Sequence, residues 1–558
     1  MNNRVFGAIW RAGLGKPAGA AGVLRRRIIK SFIARFAIVA AVAADAAGLC
    51  AARAGASPAA IPHNVAVTRI TAPVDADGMI NYGAALAQIL SRGVTPRNNA
   101  AIPILAVCRR NLGIGVWTNI HNHYAFKPDV RQMHKLLRQL GLHGGKFTGP
   151  RYELLTDYLK KHAALFPAYK PASGNTAEID RALNYMIQVQ SAALTEPWSA
   201  RRFPWLAAQL RRNNAALNLI VRGSQLPKFY VPQINLHPHS SLIGNRMPYL
   251  AATLRLAKAL AERAMLELHE GKRAECEQDL LAMHRLGRLI TRSGFLIGTL
   301  VGYEIESLAV HTDAAMANAG WISRKNYLGY ARRLRHIPPF APFARNFDIG
   351  ERFLVLDYFQ HMADRKDRRM LRRIGFSSLI PHGWNTGDTI FAMRWSNRII
   401  DREVAALKQP NFIRRWIALQ HFNRWRAVQL AGARQNNPVG ATAADKLLTP
   451  AARTARIRTA VAAKMNLDQA SLALAAYRAR HGAYPNSLAA LVPHYLPSIP
   501  HDPFTGKPLA YLLQVRDCRV WSIGGFTAGG KNPPRWARLQ VVLTFPPGRY
   551  DRLKLPVP

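Results

Sequence analysis

The 558-residue chain is poor in cysteine, in acidic residues and in long apolar runs. Its 4 cysteines, Cys50, Cys108, Cys276 and Cys518, lie far apart with no Cys-x-x-Cys pair. That excludes a disulfide framework. One bridge between two of the last three stays open, since Cys50 falls in the leader. No stretch reaches about 18 uninterrupted apolar residues, which excludes a polytopic membrane protein. No GxSxG, P-loop, HExxH or dinucleotide fingerprint occurs. The acid deficit is the outlier: Lys+Arg 77 against Asp+Glu 31 leaves a formal charge of +46. A nucleic-acid module gathers its basic residues on one face. Here they run through the whole chain, so the excess reads as chain-wide bias, fitting a GC-rich genome or export into an acidic medium.

What is present fits a folded protein of two or more domains, with 49% hydrophobic and 19% charged residues. The stretch "RRRIIKSFIARFAIVAAVAADAAGLCAARAGASP" (Arg25 to Pro58) sets a basic patch before an apolar run, Phe36 to Ala44, and then small residues. Ala44-Asp45-Ala46 and Ala54-Gly55-Ala56 both offer cleavage sites. This is the layout of a secretory signal peptide, although the segment before Arg25 is long for one. Residues 1–56 are therefore expected to be a signal peptide or a membrane anchor, which places the mature chain in the periplasm or on the outer face of the inner membrane.

Residues 57–435 read as a helical domain. Asp75, Asp77 and Gly78 resemble the opening of a calcium loop, but Leu86 stands where the twelfth-position Glu belongs, so a turn and helix cap are expected. From Met247, two amphipathic helices break near Gly271. Leu254, Ala257, Ala261, Met265 and Leu268 line the first, and Leu280, Leu281, His284, Leu286 and Leu289 the second. A third helix, apolar all round from Phe295 to Val301, belongs at the centre of a bundle. Leu354 to Ile374 reads as one helix, and Arg414 to Gln435 as a basic helix that packs Trp416 and Trp425. The polar stretch Asn436 to Pro450 reads as a linker.

Three groups are candidates for chemistry. His121 and His123, and His237 and His239, form His-x-His pairs. On a strand, positions i and i+2 share a face, so two such pairs would make a closed four-coordinate metal site. Chance pairs are also expected among 18 histidines, and Pro238 puts one pair in a loop. Glu304 with Glu306, and Glu267 with Glu270, offer acid and base pairs or merely solvated carboxylates. Arg365, Lys366, Arg368, Arg369, Arg372 and Arg373 form the densest basic patch, either a solvated helix face or a polyanion- or acidic-lipid-binding one. No cofactor is indicated.

Near the C-terminus, Ala451 to His481 reads as one long helix with a stripe of Ile457, Val461, Met465, Leu472, Leu474 and Tyr477. Gly482 suits its left-handed cap, Pro485 blocks continuation, and Ser487 to Leu491 forms a short second helix. Asp502, Pro503 and Gly506 make a turn into a strand, followed by strands at Cys518 to Gly525 and Leu539 to Phe545.

The last hundred or so residues resemble the C-terminal part of G-type pseudopilins of type II secretion. Matching positions are Tyr477, Gly482, Tyr484, Pro485, Leu488, Leu491, Asp502, Pro503, Gly506, Pro508, Tyr511, Trp521, Ser522, Gly524, Gly529 and Gly530. The resemblance implies a long helix on a small antiparallel sheet. Phe526 to Gly530 lacks the family's acidic calcium ligands, and several hundred unrelated residues precede the helix. Calcium binding and filament formation therefore do not carry over. "INYGAALAQILSRGVTPRNNA", "DLLAMHRLGRLI" and the C-terminal pattern also resemble uncharacterised, large exported proteins of planctomycete-type bacteria, which implies no activity.

The expected architecture is mainly α. A multi-helix array or bundle (57–435) is joined by a linker (436–450) to a small α+β, pseudopilin-like unit (451–558). The expected role is structural or interactive in the cell envelope, with envelope proteins as partners and membrane contact open. One alternative is an enzyme with a histidine-containing cleft in the helical body. Another is a polyanion, nucleic-acid or acidic-lipid binder that uses Arg-rich helices.

Overall fold

A computed structural model describes residues 61–109, 115–120, 123–128, 130–142, 149–154, 188–233, 241–245, 247–320, 322–364, 367–369, 384–448, 451–515, 517–522 and 539–543. Helical periodicity dominates these segments, and helices result. In chain order they are α1 (Tyr82–Leu90), α2 (Ala101–Cys108), the antiparallel hairpin β1 (Gly115–Ile120) and β2 (His123–Pro128), α3 (Val130–Gln139), α4 (Pro204–Arg212) and α5 (Asn214–Gly223). Then come α6 (Pro248–His269), α7 (Arg273–Ile290), α8 (Leu296–Asn318) and α9 (Arg324–Arg335). A short helix, Phe343–Asn346, widens into a π-turn, Phe347–Glu351, and leads into α10 (Arg352–Ala363). α11 (Thr386–Leu407), α12 (Phe412–Asn436), α13 (Pro438–Leu447) and α14 (Ala452–His481) follow. Strands β3 (Ala510–Leu513), β4 (Cys518–Ser522) and β5 (Leu539–Leu543) form an antiparallel sheet in the order β3-β4-β5.

The expected helical hairpin is α6 and α7. Gly271, at φ +79°, turns the chain between them, a conformation that side chains with a Cβ adopt only under strain. α8 packs on both. It approaches α7 so closely that a Cβ on Gly302 would lie 2.4 Å from the carbonyl oxygen of Gly287.

Two apolar cores result. The first runs from α2 through α6, α7 and α8 to the C-terminal unit, with Leu105, Leu260, Leu280, Ile305, Leu474 and Val520 buried. The second gathers α1 and α10 to α13 around Leu86, Phe359, Ile399, Leu419 and Ala444. Met247 and Ile297 pack against both.

α14 spans the two cores. Ala451 and Ala455 belong to the second, and Leu467 to Ala476 to the first. One side of α14 meets α8 and α9, and it also carries β4 and β5. Its end is as the sequence suggests: Gly482 adopts φ +76° and its N–H donates to the carbonyl of Arg478. The Tyr511 hydroxyl donates to the Pro485 carbonyl at 2.6 Å, and buried Asp502 folds its turn by accepting the Phe504 N–H at 2.9 Å.

Two local expectations need correction, and a third holds. Residues 436–450, read as a linker, contain α13. Asn437 caps it by accepting the Gly440 N–H, Pro438 opens it, and Ala441, Ala443 and Ala444 are buried. Small residues that look linker-like serve here for close helix packing against α11 and α12. The helix expected over 354–374 stops at Ala363. Asp364 turns extended and accepts the Asp367 N–H at 3.0 Å, so it caps a new helical segment instead of continuing the old one. Residues 365, 366 and 370–374 lie outside the described residues. The Asp75 to Gly78 turn is the plain Asx turn expected, with Asp75 Oδ1 accepting the N–H groups of Asp77 and Met79.

The helix crossing gives a contrast. Gly302→Ala is expected to destabilise the protein by about 1–3 kcal/mol through overpacking. Gly432→Ala, in α12 where a Cβ meets nothing within 4 Å, is expected to stabilise it by about 0.5–1 kcal/mol. Urea-unfolding midpoints followed by circular dichroism check both.

Candidate functional site

Among the described residues, a dense cluster of ionisable side chains lies where α7, α8, α9 and α14 meet. α7 carries His284 and Arg288 one turn apart, and α8 carries Glu306 and Asp313 two turns apart on the facing side. His284 Nδ1 lies 3.0 Å from Glu306 Oε1, and Nε2 lies 3.0 Å from Asp313 Oδ2. Arg288 donates to Glu306 Oε1 at 3.1 Å and to the Ile337 carbonyl at 2.9 Å. The Tyr330 hydroxyl of α9 donates to Asp313 Oδ1 at 2.6 Å. Asp468 of α14 completes the group beside Asp313. His284, Glu306, Asp313 and Asp468 are all buried, the most exposed at 4%.

The electrostatics follow from this packing. Burial opposes charge on His284, but the Glu306 and Asp313 carboxylates overcome it and push its pKa up to about 10. Burial would raise Glu306, yet His284 and Arg288 hold it below the ordinary carboxylate range. For Asp468 the pull of His284 is outweighed. Burial first, and then Asp313 alongside, push it well above that range. Both imidazole nitrogens are therefore donors to carboxylates. Such a histidine has no free lone pair to act as a base or bind a metal. The arrangement acts as a lock between helices.

Similar devices recur. Arg263 of α6 forks onto Asp279 of α7 at 2.6 and 2.7 Å and reaches Asn214 and Asn218 of α5. Asp357 of α10 accepts from the Ser241 hydroxyl and the Leu242 N–H, and His361 Nδ1 lies 2.6 Å from Asp367.

The candidates from sequence fare unevenly. His121, His237 and His239 lie outside the described residues, and His123 opens β2. Among the described residues, no group of three or more His, Cys, Asp or Glu is placed to hold a metal ion. Glu306 is a member of the lock, whereas Glu304, two positions away, is only half-buried and points elsewhere on α8. Glu267 joins Arg263, and Glu270 pairs with Lys272 at the hairpin turn, so they form no acid–base pair. Arg365, Lys366, Arg372 and Arg373 lie outside the described residues. Arg368 turns inward to the carbonyls of Met362 and Trp384, and Arg369 is exposed. Trp425 stacks on Trp395, and Trp416 on Phe412, as the packing reading expects. Cys108, Cys276 and Cys518 are free, buried thiols.

Sequence reasoning placed His284 on an apolar face and missed its partners. The available signal was a His and an Arg at i and i+4 inside a leucine stripe. In comparisons with protein-family models, curated proteins and solved structures, nothing matches the chain.

Two predictions follow from the lock. His284→Leu leaves Glu306 with Arg288 and Asp313 with the Tyr330 hydroxyl but removes the cation between the two buried carboxylates, and it is expected to destabilise the protein by roughly 3–5 kcal/mol in urea unfolding. The second concerns pH. His284 holds its proton more tightly folded than unfolded, so its contribution is complete below about pH 6.5 and is lost as pH rises through about 10. Burial also raises Glu262 and Glu267 to about 8, and Glu351 and Glu403 to about 7. Their ionisation lowers stability as pH rises from the unfolded carboxylate value, about 4.3, through 7 to 8. Glu306, with its depressed value, acts in the opposite sense only at lower pH. Stability is therefore expected to fall by a few kcal/mol between pH 5.5 and 9.5. Urea titrations at several pH values measure this, and His284→Leu should flatten the alkaline part.

Proposed function

We propose that the protein is a structural or interaction protein of the cell envelope, exported or membrane-anchored through its N-terminal segment, with a pseudopilin-like C-terminal unit. The observation that carries this reading is the sealed lock. The richest cluster of reactive groups among the described residues is buried, joins α7 to α8, and takes in Asp468 of the long C-terminal helix beside Asp313. Side chains arranged in this way hold parts together and meet no substrate.

The order of elements after residue 451 supports the pseudopilin-like reading: long helix, left-handed glycine cap, short turn of helix at Leu488–Leu491, Asp502 turn, antiparallel strands. The roles of Pro485, Asp502 and Tyr511 in that unit fit the same pattern. One departure qualifies it. α14 is flanked by α8 and α9 as well as by its sheet, so the helix is not free to pack into a filament.

Fractionation of cells that produce the full chain, with N-terminal sequencing of the mature protein, tests the location. The expected result is an envelope-associated protein that begins after Ala46 or Ala56, or one retained in the membrane with its leader intact. Recovery in the cytosol would refute the reading.

A further inference from the structure

We propose that the recess between α9 and the C-terminal end of α14 binds a compact ligand that carries two or more phosphate groups. The recess has a volume of about 570 Å³ and is lined by Arg324, Lys325, Leu328, Gly329, Arg332 and Arg480. That volume is within the range of small-ligand sites, roughly 300–1,000 Å³. The inference stands apart from the envelope reading: a cytosolic protein would leave it intact.

Three observations converge on this place. The first is uncompensated charge. Four cations from two helices face one space, and no described carboxylate pairs with any of them. The other sides of α9 differ: Arg333 pairs with Glu277, and Tyr330 reaches Asp313. Like charges gathered without a partner repel, and a bound polyanion removes that repulsion.

The second is Gly329. It lies in the middle of a helix, where glycine costs about 1 kcal/mol relative to alanine. Its backbone does not need glycine, since its φ is not positive, and a Cβ there would meet nothing within 4 Å. Neither turn geometry nor packing requires glycine here, as at Gly432 of α12, but at 329 the missing side chain leaves the floor of the recess open.

The third is preorganisation. Arg324 is the first residue of α9, beside the N-cap Ser323, so its charge adds to the positive end of the helix dipole. Its guanidinium carbon sits 5.7 Å from the centre of the Tyr495 ring, and its Nε is buried with no hydrogen-bond partner. Positions 324, 328 and 332 share one face of α9, so Arg332 lies two turns along from Arg324, and Arg480 closes the space from α14. Arginine forks spread over such a span match separate phosphate groups better than one carboxylate.

The test is calorimetric titration of the full chain with inorganic tripolyphosphate at about 150 mM salt. Three variants accompany the wild type: Gly329→Leu, the pair Arg332→Ser with Arg480→Ser, and a control pair, Arg414→Ser with Arg424→Ser, on the exposed face of α12. The first two are expected to weaken binding tenfold or more, and the control less than twofold. Gly329→Leu improves helix propensity, so an unchanged or raised unfolding midpoint is expected, which separates loss of binding from loss of fold. Vesicles containing phosphatidic acid identify the source of the phosphates. Competition with tripolyphosphate means a lipid headgroup is accepted, and no competition means a free oligophosphate. No binding of tripolyphosphate, or equal weakening by the control pair, would overturn the proposal and leave only diffuse attraction to a basic protein.

Discussion

A doubly engaged histidine sets the register of the two helices at the centre of the body. His284 can meet Glu306 and Asp313 at 3.0 Å each only if α7 and α8 stand at one axial offset. A slip of one turn, about 5.4 Å, would break both contacts. Apolar packing alone does not discriminate in this way, because it is non-directional, and α14 in particular buries many small side chains, among them Ala455, Ala463, Ala470, Ala473 and Ala476. Replacing a buried ion pair with apolar groups is often neutral for stability, whereas removing one partner is not. The cluster is thus understood better as a device for fixing alignment than as a source of net free energy.

The same logic governs how helices begin. α8 and α14 start at Phe295 and Ala451, neither of which has a side chain that can cap. The missing acceptor comes from elsewhere in the chain. Glu351 accepts the Leu296 N–H at 3.0 Å, and Glu403 accepts the Ala451 N–H at 2.6 Å. A carboxylate at a helix N-terminus also suits the dipole. Delivering Glu351 requires the π-turn at Phe347–Glu351, and the turn fits only because Gly350 lies against the Gly294 carbonyl, where a Cβ would come within 2.0 Å. The two central helices therefore start correctly only when distant segments are already in place, and this ties the second core to the first.

This dependence on distant partners explains what could be read from sequence. The α6–α7 hairpin, the buried α8, and the α14 rod with its glycine cap all express local rules of spacing and turn chemistry, and they were legible. α13 was not, because Asn-Pro and a run of small residues signal a linker and a helix start equally well, and only packing against α11 decides between them. The break at Asp364 was hidden because a capping Asp inside a charged run looks like one more solvated residue. The lock itself was illegible for a stronger reason. His284 and Asp468 lie in segments that composition alone assigns to different domains, and no periodicity links them. The candidate histidine pairs had the opposite character: a visible local pattern, with nothing in the described residues that brings the pairs together.

The scarcity of acid, the interior locks and the basic recess are one phenomenon. Nine buried carboxylates stand among the described residues: Glu262, Asp279, Glu306, Asp313, Asp357, Asp388, Glu403, Asp468 and Asp502. With only 31 acids against 77 bases in the whole chain, using acids inside leaves the surface short of them. α9 shows the consequence across its own width. The side that faces the body is satisfied by Asp313 and Glu277, and the side that faces the recess presents Arg324, Lys325 and Arg332 to solvent and to Arg480. If the excess were a uniform surface bias, it would be expected to spread around each helix and to be diluted by chance carboxylates. A helix neutralised on one side and bare on the other departs from a uniform bias and is what the proposed polyanion site requires.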